Sequence, residues 1–267
     1  MRKPSVPSLR QLCVAIFLPL GLGFTVPGMC FDRSGVVSFA QLPEGSTTPE
    51  GLTLDEAGNV YTSTFDMTRA GKAGQIVVFD KTGQLLRVLE IPGASNLLLD
   101  LAFHPGTGAL LVVDFGGKKV LKVDPSTGAS TVFMSIPGKT PASNPGPNAP
   151  AFDRHGNVYV SDSFQGIIWR TGPDGGEPVE WLNDELLRTN GVPRFGANGL
   201  AFNKAGNSLF IANTGNRQIV KVPVENGIPG TPSVFVNSVG GPDGFLIDDD
   251  EFRFVEVEDF AEFLGDL

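Results

Sequence analysis

Five side chains with oxygen atoms to offer recur at nearly constant spacing: Glu50, Asp100, Asn148, Asn198 and Asp243, separated by 50, 48, 50 and 45 residues. Glu50 and Asp243 are carboxylates and Asn148 and Asn198 are carboxamides, an all-oxygen set of charge −2. Hard divalent cations such as calcium take ligands of this kind. Neither histidine nor cysteine falls in the set, which argues against a zinc site. Carboxamide oxygens ligate without adding repulsion between acids. A cation held by such a set polarises a carbonyl and lowers the pKa of a bound water.

Residues spread over almost 200 positions form one site only if the fold brings them together, and the repeat supplies the means. Each opens the same pattern of small or apolar residues, a turn and a strand: EGLTLDEAGNVYTS, DLAFHPGTGALLVVD, NAPAFDRHGNVYVSD, NGLAFNKAGNSLFIA and DGFLIDDDEFRFVE. A repeat of this length made of strands and tight turns predicts a β-propeller, whose equivalent residues face one axis. Further strands are expected at 59–63, 75–80 and 84–91, at 110–114, 119–124 and 130–135, at 157–161 and 166–171, and at 208–212 and 218–222. Turns such as Asp80-Lys81-Thr82-Gly83 place glycine where a positive φ is needed.

About four and a half blades are visible, of an all-β, six-bladed-type propeller that looks incomplete at its C-terminus. Residues 36–42 are expected to add an outer strand that closes the ring. The proline- and glycine-rich link before Asn148 reads as a long loop, and residues 181–189 read as a short helix or a rim insertion. Both precede an anchor, so both are expected on the face where the channel opens.

The chain divides into a leader (1–30), a propeller (31–247) and an atypical tail (248–267). Arg2, Lys3 and Arg10 precede an apolar run over residues 12–28, which reads as a secretory signal peptide, with an uncleaved anchor as the other reading. A secreted or periplasmic protein is therefore expected, and no other segment looks membrane-spanning. Both cysteines, Cys13 and Cys30, lie in the leader. The tail holds nine acidic residues and one arginine and so carries most of the net charge of −9. Its apolar residues have helical spacing, consistent with a truncated or frame-shifted chain or with a helical cap on an incomplete ring. The remainder, 20 acidic and 19 basic residues, is almost neutral and excludes a nucleic-acid footprint.

The motifs PEGL (49–52), ANGLAF (197–202) and GPDGF (241–245) resemble the SMP-30/gluconolactonase/luciferin-regenerating family, and NTGNRQIVKV (213–222) resembles the neighbouring NHL repeat. The resemblance covers residues 36–248. It implies a six-bladed propeller in which Glu50, Asn198 and Asp243 bind one divalent metal, best matched by calcium. The family's further channel asparagine falls on Asn148, as a substrate-binding residue, although Ala149 stands where the family often has aspartate. The implied activity is hydrolysis of a small-molecule lactone or related cyclic ester by a monomer. Asp243 and Asp100 are then the two candidate general bases. Two other readings stay open: a non-catalytic secreted propeller that binds a ligand or protein through its loops, and a metal-independent propeller of the strictosidine-synthase type. The metal-type set speaks against the latter.

Other residues have structural readings. Asp55, Asp153 and Asn203 are expected to hold turns, and His104 and His155 to be exposed turn histidines. Asp114, Asp162 and Asn213 should brace blades. Tyr61, Tyr159 and Phe210 should pack between blades, Trp169 should lie in a blade core, and Trp181 should line the mouth.

Overall fold

The computed structural model describes residues 38–247 and 252–256, and its strands assemble into blades arranged in sequence order. The first blade is β1 (Pro49–Leu54), β2 (Val60–Thr64), β3 (Gly74–Phe79) and β4 (Leu85–Ile91). The second is β5 (Leu98–Phe103), β6 (Leu110–Asp114), β7 (Lys119–Val123) and β8 (Ser130–Ser135). The third is β9 (Pro147–Phe152), β10 (Val158–Asp162), β11 (Ile167–Gly172) and β12 (Gly175–Asn183). In the fourth, β13 (Ala197–Phe202), β14 (Ser208–Asn213) and β15 (Gln218–Glu225) are followed by a short β16 (Ile228–Pro229) and by β17 (Ser233–Asn237), which pairs with β15. A fifth sheet holds β18 (Pro242–Ile247) and β19 (Phe252–Glu256). All pairings are antiparallel, and the first strands β1, β5, β9, β13 and β18 pack in succession. The chain is a β-propeller.

Middle strands β6, β10 and β14 are buried along their whole length, because each is covered by a neighbouring blade on both faces. Strand alternation divides their side chains between the two neighbours. Val158 and Val160 of β10 pack with Leu111, Val113 and Phe133 of the second blade, whereas Tyr159 packs with Leu200, Leu209 and Ile211 of the fourth. The core is therefore a series of layers between blades. Tyr61 on Phe103 and Tyr159 on Phe202 bridge blades edge-to-face, and Trp169 is buried between the second and third.

Turn chemistry repeats with the blades. Asp55 Oδ1 accepts from the amides of Ala57 and Asn59, Asp153 Oδ1 from His155 and Asn157, and Asn203 Oδ1 from Asn207 and Ser208. His104 takes this position in the second blade and is 1% exposed, which corrects the expectation of a surface histidine. Its Nδ1 accepts from the amides of Gly106 and Thr107, so Nε2 carries the proton and donates to Gly156 O of the next blade at 2.8 Å. His155 is exposed.

Other expectations need correction. Residues 38–42 form no strand; Phe39 packs edge-to-face on Phe79 and the chain passes against the β3–β4 turn. β12 was not anticipated as a full outer strand, and the one-turn 3-10 helix that follows it spans Glu185–Leu187. Trp181 lies on β12, the strand farthest from the axis, so it does not line the mouth; it packs against Tyr159 and donates to Gly227 O. The leader, the helical spacing at 257–267 and the first part of the tail lie outside the described residues. Among the described residues no helix is long and apolar enough to cross a membrane.

Candidate active site at the propeller axis

Every first strand carries a bulge at its anchor. Pairing skips between Pro49 and Leu52, Leu98 and Leu101, Ala197 and Leu200, and Pro242 and Phe245, and the same break occurs in β9 opposite Ser161. Two residues then oppose one, which bends the strand and re-aims its side chains. The free amide of the bulge is caught by a serine in two blades: Gly51 N donates to Ser63 Oγ and Ala149 N to Ser161 Oγ, both at 3.0 Å.

The bulge register places Glu50, Asn148, Asn198 and Asp243 at one equivalent position. Its counterpart in the second blade is Leu99, which is buried against the third blade. Asp100 is therefore one residue beyond the position expected for it and corresponds to Gly51. It nevertheless shares the channel with the other acids, because its charge acts on Glu50 and that of Asp243 acts on it. Gly51 makes room for it: a Cβ there would lie 2.5 Å from Asp100 Cα. Gly199 serves the same purpose one interface on, where a Cβ would lie 2.2 Å from Asp243 O. The glycines after Glu50 and Asn198 thus reflect the close passage of the next blade. Gly199→Ala should cost roughly 1–3 kcal/mol by overpacking. Urea denaturation checks this, and an unchanged midpoint would contradict the contact.

A hydroxyl relay sets the amides. Ser163 Oγ donates to Ala197 O at 2.6 Å and accepts from Asn148 Nδ2 at 3.0 Å. Thr214 Oγ1 donates to Pro242 O at 2.8 Å and accepts from Asn198 Nδ2 at 2.9 Å. A hydroxyl has one proton, so each can only accept from its asparagine. The nitrogen of each amide is thereby engaged and its oxygen kept as an acceptor. The carbonyls gripped belong to the residues just before Asn198 and Asp243, so each relay also positions the next anchor. Ser63 does the same for Asp100 by donating to Leu99 O. Sequence reading missed Ser63, Ser163 and Thr214; the signal was a hydroxyl residue near the end of the second strand in each of these blades.

The three acids are half-buried. Enclosure by the channel, with the charges of Asp243 and Asp100 added, holds Glu50 well above the usual carboxylate range. Burial pushes Asp100 up to about 7, with Asp243 contributing and the Leu101 amide opposing. Burial likewise pushes Asp243 to about 6, against a hydrogen bond from Asn198. Such mutual repulsion is what a divalent cation relieves, and Glu50, Asn198 and Asp243 fit one by donor chemistry. Among the described residues no three His, Cys, Asp or Glu side chains gather closely enough to hold an ion by themselves. The fit therefore depends on the Asn198 amide.

No protein-family model and no curated protein matches the chain. Solved structures do. A streptogramin B lyase superposes with a TM-score of 0.59 at 20% identity, over 81% of this chain and 64% of its own. A gluconolactonase from Xanthomonas campestris gives 0.61 at 18% identity, over 79% of this chain and 70% of its own. A calcium-binding regucalcin from Agrobacterium tumefaciens gives 0.57 at 15% identity, over 80% and 72%. The chain thus spans just under two thirds of the lyase. These likenesses establish the propeller fold, and the resemblance carried by PEGL, ANGLAF and GPDGF stands at that level.

Proposed function

We propose that the protein is a metal-dependent hydrolase that opens a lactone or related cyclic ester at the propeller axis. Glu50, Asn198 and Asp243 would hold one divalent cation, with calcium best matched to their oxygens. The observation that carries this reading is the meeting of three acids that raise one another's proton affinity beside asparagines whose nitrogens are already engaged. The likeness to a gluconolactonase and a calcium-binding regucalcin supports it. When bound, the cation would offset the acids' charge and polarise the substrate carbonyl.

Asp100 suits the general base. It is outside the ligand set, and a pKa near 7 lies close to a neutral working pH, where general bases are most effective. Asp100 takes a proton from water as the water oxygen bonds to the carbonyl carbon. The ring C–O bond then breaks, and the proton returns to the leaving oxygen to give a hydroxy acid. Asn148, fixed by Ser163, offers its oxygen to orient the water or the substrate. Asp243 is the second candidate base, but its role as ligand would weaken it. The leader supports action outside the cytoplasm.

The purified protein is expected to hydrolyse a simple γ-lactone in a pH-stat assay with calcium present and to stop on chelation. Absence of both turnover and calcorimetrically measured calcium binding in a folded protein would overturn the reading.

A further inference from the structure

Four phenylalanines meet on the anchor side of the channel. Phe115 of the second blade has ring centroids 5.8 Å from Phe65 of the first, 5.6 Å from Phe164 of the third and 6.2 Å from Phe195 at the approach to the fourth. Phe164 and Phe195 are 5.4 Å apart. Gly196 N donates to Ser163 O and Gly215 N to Phe195 O, so Phe195 sits between the third and fourth blades, and Phe115 touches it past Phe164. Phe164 is 40% exposed and the other three are half-buried, so this collar keeps an apolar face toward solvent.

Backbone pairing fixes its place relative to the anchors. Phe65 N donates to Thr48 O, two residues before Glu50, and Phe115 N donates to Leu97 O, three before Asp100. Phe195 is three residues before Asn198, and Phe164 follows the Ser163 that holds Asn148. At about 3.3 Å per residue, the backbone that carries the collar lies roughly 7–10 Å along the strands from the anchors. Its rings offer no hydrogen-bonding group, and hydroxyls buried against them without partners would lose free energy. The Lys118 ammonium lies 4.6 Å over the Phe115 ring, where it covers one face of that ring as a cation–π partner and leaves Phe65, Phe164 and Phe195 as the apolar wall. The nearby cavity of about 490 Å³ beyond Phe164 is different: Lys139 and Arg188 line it, but both are already paired, with Glu180 and Glu185.

We propose that the phenylalanine collar selects the substrate: a lactone whose ring carries an alkyl or aryl substituent of several carbons, in preference to a polyhydroxylated sugar lactone. This rests on the lactonase reading of the acids below. The reacting ring sits at the level of Glu50, Asp100 and Asp243, and the apolar substituent rises along Phe65, Phe164 and Phe195.

A ladder of lactam analogues separates recognition from turnover. The calcium-loaded full chain is titrated by calorimetry with 5-methyl-, 5-butyl- and 5-hexyl-2-pyrrolidinone, which resemble γ-lactones but resist hydrolysis. Affinity is expected to rise about threefold per added methylene. Phe115→Ser should flatten this dependence, and Phe164→Ser, at the more exposed position and safer for folding, should weaken it. A flat ladder in the unaltered protein, or a ladder unchanged in a folded Phe164→Ser protein, would overturn the proposal. Turnover of γ-decalactone and glucono-δ-lactone is measured in parallel. A steep ladder without turnover of either compound supports the collar as an apolar-ligand site and sinks only the hydrolase reading; turnover with a flat ladder does the reverse.

Discussion

Asp243→Asn is expected to lower lactone hydrolysis by about 100-fold or more and to weaken calcium binding at least about tenfold, without unfolding the protein. Asparagine nearly matches aspartate in size, and the backbone at this position is held independently of the side chain, through Thr214 Oγ1 on Pro242 O. The change therefore removes a charge while leaving the strand in place. In the metal-free protein it also removes one of three acids that repel one another, so stability near neutral pH should hold or rise. Opposite signs for activity and stability distinguish a lost ligand from a damaged fold. Calorimetry and thermal unfolding of the same preparation make the comparison, and unchanged calcium affinity would remove Asp243 from the ligand set. Glu50→Gln should behave alike, because Glu50 feels both Asp243 and Asp100.

The repeat was legible because the first, third and fourth blades spend their sequence on the same tasks: a polar anchor, a turn held by an Asx side chain, and a buried middle strand. Glu50, Asn148, Asn198 and Asp243 could be aligned by eye for that reason. Asp100 could not be aligned correctly. A bulge leaves two residues opposite one, and a polar residue beside the bulge looks the same in sequence as one at it; only pairing shows that Leu99 holds the equivalent position. His104 was misread because histidine is not a usual turn acceptor, although its Nδ1 does what Asp55 Oδ1 does. The collar was invisible for a different reason. Phe65 and Phe115 stand at one repeat position, just after their second strands, but Ser163 and Thr214 occupy it in the next two blades. Phe164 and Phe195 join from elsewhere, so only their meeting reveals the collar. Trp181 shows the converse: an aromatic near a loop looks like a mouth residue until its strand proves to be the outermost one.

Asp100→Asn is expected to stabilise the metal-free protein at pH 8 and to leave it nearly unchanged at pH 4. Asp100 titrates near 7 in the folded protein, against about 3.9 for an unfolded aspartate. Below about pH 4 it is protonated in both states. Between about 4 and 7 the folded state keeps a proton that the unfolded chain has released, so stability falls as pH rises through this window. Above 7 the folded state must carry the charge in an enclosed channel beside Asp243, and the stabilisation is gone. Asparagine has no charge to accommodate. Discounted for the solvent that still reaches Asp100, the gain at pH 8 is on the order of 1–2 kcal/mol, or roughly 3–6 °C in Tm. Saturating calcium should reduce the pH slope of the unaltered protein, because a ligand bound only by the folded state offsets the repulsion. Thermal unfolding at pH 4 and 8, with and without calcium, tests each part, and parallel pH profiles for both proteins would refute the assignment. The same variant should lose about 10²- to 10⁴-fold in turnover while still binding calcium, if Asp100 is the base. A protein made more stable and less active by one uncharged side chain would mean that the fold tolerates Asp100 at a cost in stability because the chemistry requires its proton affinity.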